Sequence, residues 1–165
     1  MLRTLKPALA GVGEVVGDHV EDTLGAKVGK KASMGTASKR AVERALSRGA
    51  ARVTRINSTT REGLRRLIAE AVEKGMSPAE AGELIEGWAG FDQYRAERIA
   101  RTELMFAYNA AALDSYGALG VTKVQAIDGD DDEECAERNG QTFTLEEAEG
   151  IEDHPNGTLD WVPVL

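Results

Sequence analysis

The sequence predicts an α+β protein: a mainly helical body over residues 37–120, a small C-terminal β-containing unit over 121–165, and a flexible basic N-terminal arm over 1–36. Three observations predict it. Apolar residues recur at three- and four-residue spacings from Ala37 to Leu119, the period of helices with one buried face. After Gly120 the pattern changes to short alternating runs separated by turn residues. Before Ala37, six glycines between Gly11 and Gly35 interrupt any sustained period.

Each element can be justified in turn. Val42, Leu46, Gly49, Val53 and Ile56 give one apolar face to a helix from Ala37 to about Asn57. Arg40, Arg44, Arg48 and Arg52 recur every fourth residue on roughly the opposite face. Thr59 and Glu62 are spaced for a capping box, and Leu64, Leu67, Ile68, Ala71 and Val72 form the stripe that follows, stopped at Gly75. Ser77-Pro78-Ala79-Glu80 starts another helix, with Ala81, Leu84, Ile85 and Trp88 buried and Gly87 and Gly90 ending it. The longest helix runs from about Asp92 to Leu119, with Ile99, Thr102, Phe106, Ala110 and Leu113 inward, Tyr116 near the edge, and Gly120 as the stop. Thr102 and Asn109 share the side of Phe106, so if buried they need hydrogen-bond partners; a polar network joining helices is expected.

In the C-terminal unit, Val121 to Ile127 reads as a strand and Asp128 to Glu134 as an acidic loop. Asn139-Gly140 is a hairpin-type turn leading into a strand over Gln141-Thr142-Phe143. Thr144 begins a short helix over Leu145 to Glu149, His154-Pro155-Asn156-Gly157 is a turn, and Trp161 to Leu165 is an extended apolar strand. A unit of fewer than about 50 residues is not stable alone, so it must pack on the helices or on a partner.

Composition sets further bounds. The chain has 165 residues and a formal net charge of −8, divided unevenly: +8 over residues 1–66, −4 over 67–127 and −12 over 128–165, where Arg138 is the one basic residue. The basic part suits DNA or an acidic partner, and the acidic part is one that nucleic acid repels. The plain alternative is that both halves are simply solvated and pair loosely with copies of each other. The Arg40–Arg52 stripe suits phosphates or an acidic protein groove, or is ordinary helix surface. One cysteine, Cys135, leaves no disulfide framework and no cysteine-rich metal cluster. No apolar run approaches the ~18–20 residues of a membrane-spanning helix, so no membrane is expected among its partners.

Arg98-Ile99-Ala100-Arg101-Thr102-Glu103, followed by Asn109 and Tyr116, resembles the signature helix of the phage Mu protein F-like head morphogenesis family, the minor head proteins of tailed phages. The resemblance continues through Asn139-Gly140-Gln141-Thr142-Phe143 and His154-Pro155-Asn156-Gly157 to Trp161-Val162-Pro163-Val164. Ile56-Asn57-Ser58-Thr59-Thr60-Arg61 and Gly75-Met76-Ser77 also fit, so it covers about residues 50–165. It implies a minor capsid protein with a structural role in procapsid assembly, present in the virion head and, during assembly, the host cytoplasm. The implied partners are the portal protein, major capsid or scaffolding protein, and packaged double-stranded DNA. The rival expectation is a small DNA-binding accessory protein outside the head.

The resemblance also raises zinc. Many members carry two cysteine pairs and a histidine in this region. Here Cys135 and His154 remain, while Asp132, Gly157 and Leu159 stand at the other ligand positions, so a four-ligand zinc site is not expected. Phe143, Leu145, Ile151, Trp161 and Val164 are the residues expected to hold the unit together instead. Asp128-Gly129-Asp130-Asp131-Asp132 imitates the start of a calcium loop, but Glu133 stands where Gly is needed and Asn139 where a bidentate Glu is needed. Cys135 and His154 lack an orienting third group and an oxyanion site, so no catalytic residue, cofactor or metal is expected. The family-motif residues, Arg101, Thr102, Glu103, Asn109, Gly140, His154 and Pro155, are expected to be structural.

Overall fold

The computed structural model describes residues 34–130 and 132–165, with side chains at Lys39 and from Val42 onward. The arm expected over 1–36 therefore lies almost wholly outside the described residues. The described chain is α+β: four helices followed by a three-stranded antiparallel sheet with two short helices.

Helix α1 is Met34–Arg48. It ends well before the expected Asn57, at a buried Gly49 with no room for a side chain, where an added Cβ would meet the Ala45 carbonyl oxygen at 2.3 Å. Ala50 then turns left-handed at φ 56°, as does Arg55 at φ 57°. Arg65 donates to the Gly49 carbonyl at 3.0 Å, and Arg61 donates to the carbonyls of Ala50 and Ala51, so side chains of the next helix satisfy the groups left open where α1 stops. Leu46 is consequently exposed, and Ala45 and Gly49 carry the contact instead.

Helix α2 is Ser58–Lys74. Its cap is Asn57, which accepts from the Thr60 N–H at 2.7 Å, so the Thr59/Glu62 capping box is not formed. Leu64, Ile68, Ala71 and Val72 are buried, and Gly75 closes the helix in the left-handed conformation. Helix α3, Pro78–Ala89, has the predicted Ser77/Glu80 capping box. Trp88 is not buried as expected but 49% exposed, lying across Gly63 of α2, where a Cβ would fall 1.9 Å from the indole.

Helix α4, Gln93–Leu119, is capped by Asp92 and ends at Gly120. It is the spine of the molecule. Its first two thirds give Ala96, Ile99, Ala100, Leu104 and Ala107 to a core shared with α1, α2 and α3. Its last third gives Ala112, Leu113, Tyr116 and Leu119 to a second core under the sheet. Thr102 and Phe106 are only half-buried, while Tyr116, expected at the edge, is buried.

Strand β1 is Lys123–Ile127, α5 is Glu133–Arg138, β2 is Thr142–Thr144, α6 is Leu145–Gly150 and β3 is Asp160–Val164. The sheet order is β2-β1-β3. Part of the expected acidic loop is thus the start of α5, with Asp132 as its cap. Asn139-Gly140 does not join two strands as a tight hairpin: it ends α5 and turns the chain into β2, Gly140 at φ 80°. Trp161 is buried edge-on to Phe143, their ring centres 5.7 Å apart. Val164, expected in the core, is 43% exposed, because strand alternation puts Trp161 inward and Val162 and Val164 outward.

Strand β3 lies at an edge of the sheet. Ala126 of β1 uses its N–H and C=O on the β2 side, so Ala126↔Trp161 and Val124↔Pro163 are pairs without mutual hydrogen bonds. The main-chain groups of Trp161 and Pro163 therefore point away from the sheet. Asp160 accepts the Trp161 N–H at 2.8 Å, the Tyr116 hydroxyl donates to the Trp161 carbonyl at 3.0 Å, and Pro163 has no N–H.

Candidate functional site

The motifs that carry the resemblance meet along one side of α4. Thr102, Asn109 and Tyr116 are each seven residues apart, two helical turns, and so lie in a row. The Thr102 hydroxyl accepts the Asn156 N–H at 3.1 Å. The Asn109 amide donates to the Leu159 carbonyl at 2.8 Å. Tyr116 donates to the Trp161 carbonyl at 3.0 Å. The network expected to join helices instead fastens α4 to the segment containing the His154–Gly157 turn and β3. Burial, then the nearby Asp160, pushes the Tyr116 phenol up to about 12, so it remains a donor at neutral pH.

Glu103, on the neighbouring side of α4, is buried against the turn after α1. Burial raises its carboxyl above the ordinary value, against the opposing pull of the Ala50 N–H and the Arg52 charge. Arg101 is exposed.

The predicted arginine stripe is divided by the early end of α1. Arg40 is in α1 with its side chain outside the described residues, and Arg48 is exposed. Arg44 pairs with Glu149 of α6 at 3.3 Å. Arg52 leaves the helix altogether: it donates to the Asp153 carbonyl at 2.6 Å, pairs with Glu152 and lies 5.1 Å from the centre of the Phe106 ring. Two of the four arginines thus engage the chain's own acidic unit. Their ion pairs bridge a cleft of about 300 Å³ whose lining includes Phe106, Ala110 and Leu113 of α4 and Ala148 of α6.

Below this cleft lies a buried ionic cluster that the sequence reading missed. Arg138 of α5 donates through Nη2 to Asp153 at 2.8 Å, and through Nε to Asp128 at 3.1 Å, with Nη2 also bonded to Asp128. All three side chains are buried. Burial pulls the Asp128 carboxyl upward, but hydrogen bonds from Arg138 and the Asp130 N–H outweigh it and hold the group below the usual carboxylate value. The signal was available: one basic residue stood alone among 13 acidic ones over 128–165.

Cys135 is 1% exposed, with Arg138 Nη2 3.4 Å from its sulfur. Burial, then Asp132 and Asp128, pushes the thiol up to about 12. A buried, protonated thiol is a poor nucleophile. The His154 ring lies 3.0 Å from Asp132 and 3.4 Å from Asp130. Its Nδ1 meets the Pro155 carbonyl, and that contact, followed by the neighbouring carboxylates, raises its pKa. The calcium-like acids are also engaged: Asp130 accepts the Thr158 N–H at 3.0 Å and Asp128 the Thr158 hydroxyl at 3.3 Å.

Cys135, His154 and Asp130 approach one another closely enough to share an ion, as do Asp128, Cys135 and Asp153. The zinc pattern nevertheless does not fit these residues. Leu159 is buried in the apolar core. At Gly157 a Cβ would fall 1.9 Å from an Asp153 carboxylate oxygen, so a carboxylate already fills the place of a side chain there. The Arg138 guanidinium stands among the remaining donors as a resident cation.

No family model matches the chain, and no curated protein or solved structure matches it. Among the described residues no helix is long and apolar enough to cross a membrane.

Proposed function

We propose that this chain is a minor head protein of a tailed phage, built into the procapsid as a structural component beside the portal protein. Contacts with major capsid or scaffolding protein and with packaged double-stranded DNA belong to the same reading, as does a location in the virion head and, during assembly, the host cytoplasm. The observation that supports it is the convergence of the resembling motifs: Thr102, Asn109 and Tyr116 of the signature helix each bond a residue of the 156–161 segment. Motifs about 50 residues apart in the chain thereby form one folded unit, as an ordered motif set of common origin would.

In this reading the protein acts by docking, with no catalytic step. The chain's acidic unit is partly neutralised from within by Arg44 and Arg52, so it meets a partner as a preassembled surface rather than a loose acidic tail. A second reading, the DNA-binding accessory protein, draws on the outer face of α4. There Arg98 and Arg101 are exposed beside Tyr94, and the Arg98 guanidinium lies 5.7 Å from the centre of the Tyr94 ring.

Quantitative mass spectrometry of purified DNA-filled heads and empty procapsids separates the two. A few copies per particle in both support the minor head protein. Presence in filled heads alone favours retention through packaged DNA, with an affinity that falls steeply with salt, and absence from both favours the accessory protein outside the head. Absence from both overturns the head-protein reading.

A further inference from the structure

We propose that the guanidinium of Arg138 is the built-in cation of the C-terminal unit, cross-linking three chain segments through donors that would otherwise attract a metal ion, and that it excludes a metal from that position. The inference rests on the cluster's geometry and stands whether or not the head-protein reading does.

The three segments are the loop that follows β1, which begins with Asp128; α5, which carries Cys135 and Arg138; and the loop from Asp153 to Leu159. Helix α5 has six residues, far too few to persist without tertiary contacts. Arg138 ties it to both other segments at once, donating to Asp128 and Asp153. Each carboxylate oxygen of the pair has at least one donor. Asp153 accepts the Leu159 N–H through Oδ2 and the His154 N–H through Oδ1, each at 3.0 Å. Asp128 Oδ1 faces the Asp130 N–H and the Thr158 hydroxyl, each at 3.3 Å.

This is the bonding a buried ion group needs to be tolerated: opposite charge at contact distance and every remaining acceptor supplied with a donor. Two carboxylates and one guanidinium leave one formal negative charge. A divalent ion among Asp128, Cys135 and Asp153 would stand within a few ångströms of the guanidinium, whose Nη2 is already 3.4 Å from the Cys135 sulfur. Guanidinium and metal are therefore alternatives. Gly157 belongs to the same arrangement, since Asp153 reaches Arg138 through the space that a side chain at 157 would fill.

The test uses the full chain. Purified without a metal-binding tag, the protein is analysed for metal content and melted with and without a chelator. No stoichiometric zinc and an unchanged Tm are expected; one zinc per chain, or a fall in Tm on chelation, overturns the proposal. Arg138→Ala should lower Tm by roughly 10 °C, since it strands two buried carboxylates. It should also gain cobalt binding with a thiolate-to-cobalt absorption band that the wild type lacks and that Cys135→Ser removes. A variant as stable as the wild type, or cobalt binding of equal strength in both, overturns the proposal. If Arg138→Ala does not fold, the wild-type metal content and chelator melt decide it alone.

Discussion

At the scale of single residues, the row Thr102, Asn109, Tyr116 carries the connection between the helices and the terminal unit. Asn109 is the most demanding of them, because both its amide and the Leu159 carbonyl are buried. Asn109→Ala leaves that carbonyl without its donor, and a loss of about 1–3 kcal/mol is expected in urea unfolding monitored by circular dichroism. The need for partners at Thr102 and Asn109 was legible in their position on a buried helical side. Their identity was not, because the bonds reach 54 and 50 residues along the chain to backbone groups that carry no sequence signal. Trp88 failed for a related reason. Its spacing placed it inward, but the bare surface of Gly63 lets the indole rest against α2 and stay half exposed.

At the scale of elements, the loop carrying His154 and the ionic cluster should give the terminal unit two opposed pH limits. Asp128 is held below its ordinary value in the folded state. Its contribution is present above the unfolded carboxylate pKa and is lost as pH falls through the lower folded one. His154 is raised. Its contribution is present below the unfolded imidazole pKa, near 6.5, and is lost as pH rises through the higher folded one. Thermal unfolding followed from pH 3 to 9 should therefore show greatest stability at mildly acidic pH, and His154→Asn should flatten the alkaline limb and also weaken the acid limb through Asp132, whose carboxyl the Cys135 N–H and then His154 hold low. Among the elements, the cap at Ser77, the helix starts near Asp92 and Thr144, and the stops at Gly75, Gly90 and Gly120 were readable, since each rests on local backbone chemistry. Helix α5 was not, because six residues are too few to show a period and its acidic first turn resembles a loop. The early end of α1 was hidden too. It depends on Arg61 and Arg65 reaching back from α2 to take up carbonyls that α1 leaves open.

At the scale of the whole molecule, the fold class followed from the change of period after Gly120, and the dependence of the small unit on the helices followed from its size. The charge asymmetry was legible, but its resolution was not: part of it closes within the chain, through Arg44–Glu149 and Arg52–Glu152. Both pairs are partly exposed, so each is worth at most about 1 kcal/mol. Arg44→Glu and Glu149→Arg should each lower Tm slightly in low salt, the double exchange should restore it, and all three differences should shrink in 0.5 M salt as the charges are screened. The capped border of β3 has a larger consequence. An open strand is a template on which a second chain can lay itself down, and repetition of that step gives a fibre. In this protein Asp160, Tyr116 and Pro163 close that route along β3. That leaves the Pro163 carbonyl as the outward main-chain acceptor of this border, so strand addition along it has little to pair with, and contacts made by β3 draw mainly on its side chains, among them the exposed Val162 and Val164.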